Sequence, residues 1–120
     1  MKFAAFRLAA AALALGAAQL AWAHAYPTHQ EPGAGATVTT ALNTVTIDFD
    51  DALEPAFSSI EVADSKGKSV IHDKAAVDAS NKKRMSVPLN ALSAGLYTVT
   101  WIAVAADGHR TTGHYSFTVH

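Results

Sequence analysis

Two short stretches hold most of the side chains able to do chemistry. One is "AQLAWAHAYPTHQ", Ala18 to Gln30, in which His24 follows the small-x-small triplet Ala21-Trp22-Ala23. The other is "AADGHRTTGHYSFTV", Ala105 to Val119, which carries Asp107 and His109 as D-x-H, with His114 further along. All six histidines lie at or after position 24, and the chain has no cysteine. Thiolate chemistry is thereby excluded: no blue-copper centre, no cysteine-bound zinc, no iron–sulfur cluster and no thiol nucleophile. Any metal must be held by nitrogen, oxygen or thioether sulfur.

A chain starting at His24 presents an α-amine and an imidazole from one residue. Bound to one ion through N and Nδ1, they close a six-membered ring of N, Cα, Cβ, Cγ, Nδ1 and the metal. An α-amine titrates near about 7.7–8 and an imidazole near about 6.5, so a metal displaces their protons at modest cost near neutrality. Two nitrogens with that bite suit Cu(II), which stands highest among the divalent first-row ions. Two donors alone bind weakly, so further ligands are required. Residues two apart in an extended segment point to one side. Asp107 and His109 are therefore expected to converge, with Gly108 allowing a tight backbone between them. D-x-H by itself is also an ordinary polar hairpin tip; beside an amino-terminal histidine it reads as the other half of a site.

That amino terminus depends on processing. Residues 1–23 read as a secretory signal peptide, with Lys2 and Arg7 in the basic region, an apolar run from Leu8 to Ala18, and cleavage after Ala23. About a dozen strongly apolar residues fall short of the roughly 20 that span a bilayer. There is no twin-arginine pair, and no cysteine at the cleavage site to carry a lipid. Cleavage leaves 24–120 as one small exported domain. Lys2 and Arg7 go with the leader, so nine Lys+Arg become seven against ten Asp+Glu, a formal charge of −3. Neither a nucleic-acid groove nor a polybasic membrane patch is expected from that balance. With no disulfides available, the domain must be held by its core.

The elements that position these residues read as all-β. "TVTIDF" (Thr44 to Phe49) alternates, with Val45, Ile47 and Phe49 on one face, and "SIEVAD" (Ser59 to Asp64) does the same before the turn signal "DSKG". "SVIHD" and "RMSVPL" are shorter strand candidates. "LYTVTWIAVA" (Leu96 to Ala105) is apolar on both faces, as in a central strand of a two-layer stack. "HYSFTV" (His114 to Val119) alternates, with Tyr115, Phe117 and Val119 facing in. "DKAAVDASNKKR" (Asp73 to Arg84) reads as a helical turn or a loop. The whole predicts a small Greek-key β-sandwich or barrel. Tyr97 and Trp101 fit the core, whereas His72 and His120 fit the surface; His29 also fits the surface, with the alternative that its nearness to His24 draws it into a site there.

"HAYPTHQEPGAGATV", "VTIDFDDALEPAFSSIEV" and "LSAGLYTVTWIAVAADGHRTTGHYSFTV" together resemble the CopC family of periplasmic copper-resistance proteins. The likeness spans almost all of 24–120 and is weakest from Lys66 to Met85. Its most specific part is A-G-x-Y-x-V-x-W followed by D-x-H and a G-x-[FY]-x-F-x-V strand. The resemblance implies a cupredoxin-like or immunoglobulin-like β-sandwich binding one Cu(II) per chain at one end. The implied ligands are the His24 amine and imidazole, Asp107 and His109. An acidic group on the early strand falls at Asp51 or its neighbour Asp50, so Asp51 is a fourth-ligand or supporting candidate, as is His114. Some members bind Cu(I) in a methionine-rich loop; here Met85 is the one methionine after the leader, so no such site is expected.

The function expected is a monomeric periplasmic buffer or carrier that passes copper to a membrane copper transporter or another periplasmic copper protein. It is not expected to be an enzyme. A histidine-brace copper monooxygenase is the enzymatic alternative, and a metal-free exported interaction module is the other. Zn(II) is a competitor for the same His and carboxylate donors.

Overall fold

The computed structural model describes residues 24–120, and the signal-peptide reading lies outside them. Eight strands follow in order: β1 (Pro27–Glu31), β2 (Thr37–Val38), β3 (Thr44–Phe49), β4 (Ser59–Ala63), β5 (Ala76–Val77), β6 (Arg84–Pro88), β7 (Gly95–Val104) and β8 (Arg110–Val119). They form two four-stranded sheets, β1-β3-β6-β5 and β2-β8-β7-β4. The sandwich expected from the alternating strands is the structure found.

The alternation places the core. Val45, Ile47 and Phe49 of β3 and Met85 and Val87 of β6 face Ile60, Val62, Val99, Trp101, Phe117 and Val119 of the other sheet. Tyr97 and Trp101 lie in this core as expected. Phe49 meets Trp101 edge to face across the layers at 5.4 Å. Tyr97 stacks on Phe117 at 5.5 Å and donates its hydroxyl to the Ser93 carbonyl at 2.7 Å, closing the opposite end.

Three local expectations differ from the structure. Asp73–Arg84 forms the short strand β5 and a turn, because Asp78 caps its own turn through the Ser80 N–H and hydroxyl. "SVIHD" makes only isolated bridges, Ser69 with Ala63 and Ile71 with Leu89. β7 is buried on one face rather than two: its outer face leaves Leu96 51% exposed and Ile102 half-buried. Only Val104 is covered there, where Glu54 N–H donates to its carbonyl and its own N–H donates to the buried Ser58 hydroxyl.

β7 and β8 pair antiparallel over ten residue pairs, from Gly95 with Val119 to Val104 with Arg110. This long hairpin carries the D-x-H loop to one end of the sandwich. β1 pairs antiparallel with β3, Pro27 opposite Phe49, so residues 24–26 run off the same end. The two stretches distant in sequence therefore meet.

Candidate metal centre

His24 and His109 lie against each other, their rings edge to face with centroids 5.3 Å apart. Two imidazoles sharing one ion at bonds of about 2.0 Å have centroids about 4.5 Å apart when cis and about 6.3 Å when trans. The observed spacing falls between these limits. Both histidines are exposed, so an ion and its solvent have access.

Asp107 and His109 converge, but through a turn rather than an extended segment. Residues 106–108 form the hairpin tip, Gly108 adopts a φ of 91°, and its N–H donates to the Ala105 carbonyl at 2.9 Å. Only glycine takes that left-handed backbone without strain. The tight tip folds Asp107 back onto His109. Its Oδ1 accepts the His109 backbone N–H at 3.1 Å and its Oδ2 accepts Nδ1–H at 2.8 Å. An ionised carboxylate can only accept, so Nδ1 carries the proton in this arrangement. The backbone N–H first, then the imidazole, hold the Asp107 carboxyl below the usual carboxylate range.

Residues 24–26 are fixed from two sides. Ala25 is fully buried, and its carbonyl accepts the Thr111 hydroxyl at 2.5 Å. Tyr26 donates its N–H to Asp50 Oδ1 at 2.8 Å, and Asp50 returns its own N–H to the Tyr26 carbonyl at 2.9 Å. The Tyr26 ring also lies 5.9 Å from that of His24. Of the two adjacent acids at the end of β3, Asp50 thus touches the amino-terminal segment, while Asp51 Oδ1 accepts the N–H of Ala52 at 2.8 Å.

The remaining histidines stand apart from this pair. His114 is exposed on the outer face of β8, opposite Thr100. His29 lies on β1 against Glu31 at 3.3 Å, and His72 Nδ1 lies 3.1 Å from Asn90 Oδ1. Among the described residues no three His, Asp or Glu side chains already converge as a metal cluster. The contacts are pairwise, with His109 shared: its ring packs against that of His24 and its Nδ1 hydrogen-bonds Asp107. Thr111 carried no signal in the sequence beyond standing two positions after His109 on a strand.

The comparisons with known proteins agree with this architecture. The 40%-identical relative Protein YobA of Escherichia coli K12 matches over 99 residues, 82% of this chain and 80% of that protein. The crystal structure of CopC from Methylosinus trichosporium OB3b superposes with a TM-score of 0.75 at 32% identity, covering 80% of this chain and 93% of that one. PcoC, described as a methionine-rich copper resistance protein from Escherichia coli, superposes with a TM-score of 0.71 at 29% identity over 81% of this chain and 99% of that one. This chain is not methionine-rich: Met85 is its one methionine after position 1, and it is fully buried in the core. The CopC domain model matches residues 28–120, and with a fold and a histidine–aspartate end built as described, the chain belongs to the CopC family.

Proposed function

We propose that the chain, once it begins at His24, holds one Cu(II) ion through the His24 α-amine and imidazole, His109 and Asp107. In this reading it serves as a periplasmic copper buffer or carrier that delivers the ion to a membrane transporter or another periplasmic copper protein. The observation that carries it is the 2.8 Å separation of Asp107 Oδ2 and His109 Nδ1. Two cis ligands with bonds of about 2.0 Å at a right angle are also about 2.8 Å apart. An ion taking the place of the shared proton would keep that separation but lie about 1.4 Å off the N–O line, so the His109 ring would turn to aim Nδ1 at it; the His24 ring packs against the same imidazole.

Nitrogen and carboxylate donors favour Cu(II) over Cu(I), so reduction or ligand exchange would release the ion. With Asp107 in the set, little of a square-planar ion is left open to oxygen, which supports storage and delivery over catalysis. A polysaccharide-cleaving copper monooxygenase also needs a broad aromatic face; among the described residues the well-exposed aromatics are Tyr26 and Phe57. Asp51 and His114 stay outside the proposed ligand set.

The test is a chelator-competition Cu(II) titration on the chain starting at His24, beside the same chain with Ala23 retained. The proposal expects one equivalent bound tightly by the first and far more weakly by the second, whose His24 nitrogen is an amide. Equal, tight binding by both would remove the amine from the site. No binding by either would remove copper altogether. A parallel Zn(II) titration tests whether the donor set distinguishes the two ions.

A further inference from the structure

We infer that Thr111 and Asp50 are positioning residues for the amino-terminal ligand: they hold the backbone of residues 25 and 26 so that His24 lies against His109 before any metal arrives. The inference rests on the copper reading above for its purpose, though its geometry does not.

β1 begins at Pro27, which has no N–H to give to a sheet. Residues 24–26 therefore lie beyond the regular ladder, and its hydrogen bonds do not place them. Left alone, such a terminal segment is expected to fray. Three hydrogen bonds take the ladder's part. The Thr111 hydroxyl has one proton; Ala25 O lies at 2.5 Å and Ala103 O at 3.4 Å, so the proton goes to Ala25. Tyr26 and Asp50 exchange the other two bonds, at 2.8 and 2.9 Å. The Ala25 methyl, fully buried, pins the same segment from below.

The placement of Thr111 gives these contacts their meaning. It stands two residues after His109 on the strand that leaves the D-x-H loop, and pairs with Ala103 of β7. One hydroxyl thus ties the residue following His24 to β8, the strand that begins directly after His109. Asp50 ties the next residue to the end of β3, directly after Phe49, whose ring is braced on Trp101. The backbone beside His24 is thus referred to both sheets, to β8 through Thr111 and to the end of β3 through Asp50. A ligand ordered in advance gives up less conformational entropy on binding than one ordered by the metal.

The test uses the chain starting at His24 and two variants on different strands. Thr111→Val keeps the β-branched shape and loses the hydroxyl; Asp50→Ala loses the carboxylate acceptor for Tyr26. Each is expected to weaken Cu(II) binding in chelator competition by about 10- to 100-fold, the range for residues that orient metal ligands. Thr111→Ser is expected to restore it. In the metal-free protein, amide exchange at Ala25 and Tyr26 should quicken in Thr111→Val while the centres of β7 and β8 keep their protection. Affinity and exchange at the parent's values in both variants would overturn the inference, as would failure of Thr111→Ser to restore the affinity that Thr111→Val loses. If the parent itself binds no Cu(II), the copper reading fails, and the exchange data alone decide whether Thr111 and Asp50 hold the segment. Should Thr111→Val unfold, Asp50→Ala carries the same test from the other sheet.

Discussion

The imidazoles of His24 and His109 stand edge to face at 5.3 Å, although one belongs to the amino-terminal segment and the other to the β7–β8 hairpin. Both are exposed, so neither ring is needed to fill the core. Their proximity follows from the backbone on either side: the hairpin tip on one, the Thr111 and Asp50 contacts on the other. Function and stability should therefore separate cleanly here. Replacing either histidine by Ala is expected to lower Cu(II) affinity by orders of magnitude. Stability of the metal-free domain should move by no more than about 0.5 kcal/mol, as for exposed side chains outside the core. Chelator competition and urea denaturation on the same samples check both halves. Full-strength binding in both variants would dismiss the histidine pair as a site.

Asp48 gives a pH dependence with a definite sign. Its carboxylate receives Arg84 Nε at 2.7 Å and Nη2 at 3.1 Å, joining β3 to β6 across the register pair Asp48–Arg84. That hydrogen bonding lowers the Asp48 pKa, and the guanidinium charge adds to it. A depressed carboxyl stabilises the fold above its unfolded value of about 3.9 and loses that contribution as pH falls through the lower folded value. Asp48→Asn should thus be less stable than the parent at neutral pH, by a few degrees of melting temperature at most, because the pair is partly exposed and screened. The difference should close below pH 4. Parallel melts across pH decide it; a gap that persists unchanged in acid would assign the effect to packing.

The parts of the fold that were legible in the sequence are those where one face of a strand meets the core. In β3 and in β8 from His114 onward, period-two alternation survives unbroken, because a slip of one residue would turn every apolar side chain to water. His24, Asp107 and His109 were legible by type, since few side chains bind metals and two of these sit two residues apart. Other features were not. Whether Asp50 or Asp51 reaches the amino-terminal segment depends on which carboxylate the end of β3 turns toward it, and two adjacent acids look alike in sequence. Thr111 is one of many strand threonines, and only the packing of Ala25 beside it gives its hydroxyl a task. The turn at Gly108 hid because an extended D-x-H and a folded one share the same letters. β7 looked buried on both faces because Leu96 and Ile102 are apolar, yet the second layer covers only one side.

Gly113 is expected to tolerate no side chain. It faces Trp101 across the β7–β8 ladder, and a Cβ built there would stand 2.6 Å from the indole Cε2 and 2.9 Å from Nε1. The indole cannot retreat freely, because Phe49 packs edge to face against it from the other sheet. Gly113→Ala should therefore overpack the core and destabilise the domain by about 1–3 kcal/mol. Urea denaturation measures the loss, and Trp101, the one tryptophan after position 23, reports the disturbance by fluorescence. An unchanged midpoint with unchanged emission would mean that the strand can shift to admit a methyl group.

Tyr115 makes the opposite prediction, a substitution that costs nothing. Its side chain is buried on the inner face of β8, and its hydroxyl has no hydrogen-bond partner among the described residues. Burial first, then the nearby Glu31 charge, pushes its pKa up to about 12. A buried polar group without a partner has lost its hydration and gained nothing in exchange. Tyr115→Phe keeps the ring and removes the stranded oxygen, so the variant should be as stable as the parent or more stable by up to about 1 kcal/mol. Its ultraviolet pH titration should lose a late phenolate step. If Tyr115→Phe instead destabilises by more than about 1 kcal/mol, the hydroxyl has a partner after all. An ordered water inside the sandwich would then be the first place to look.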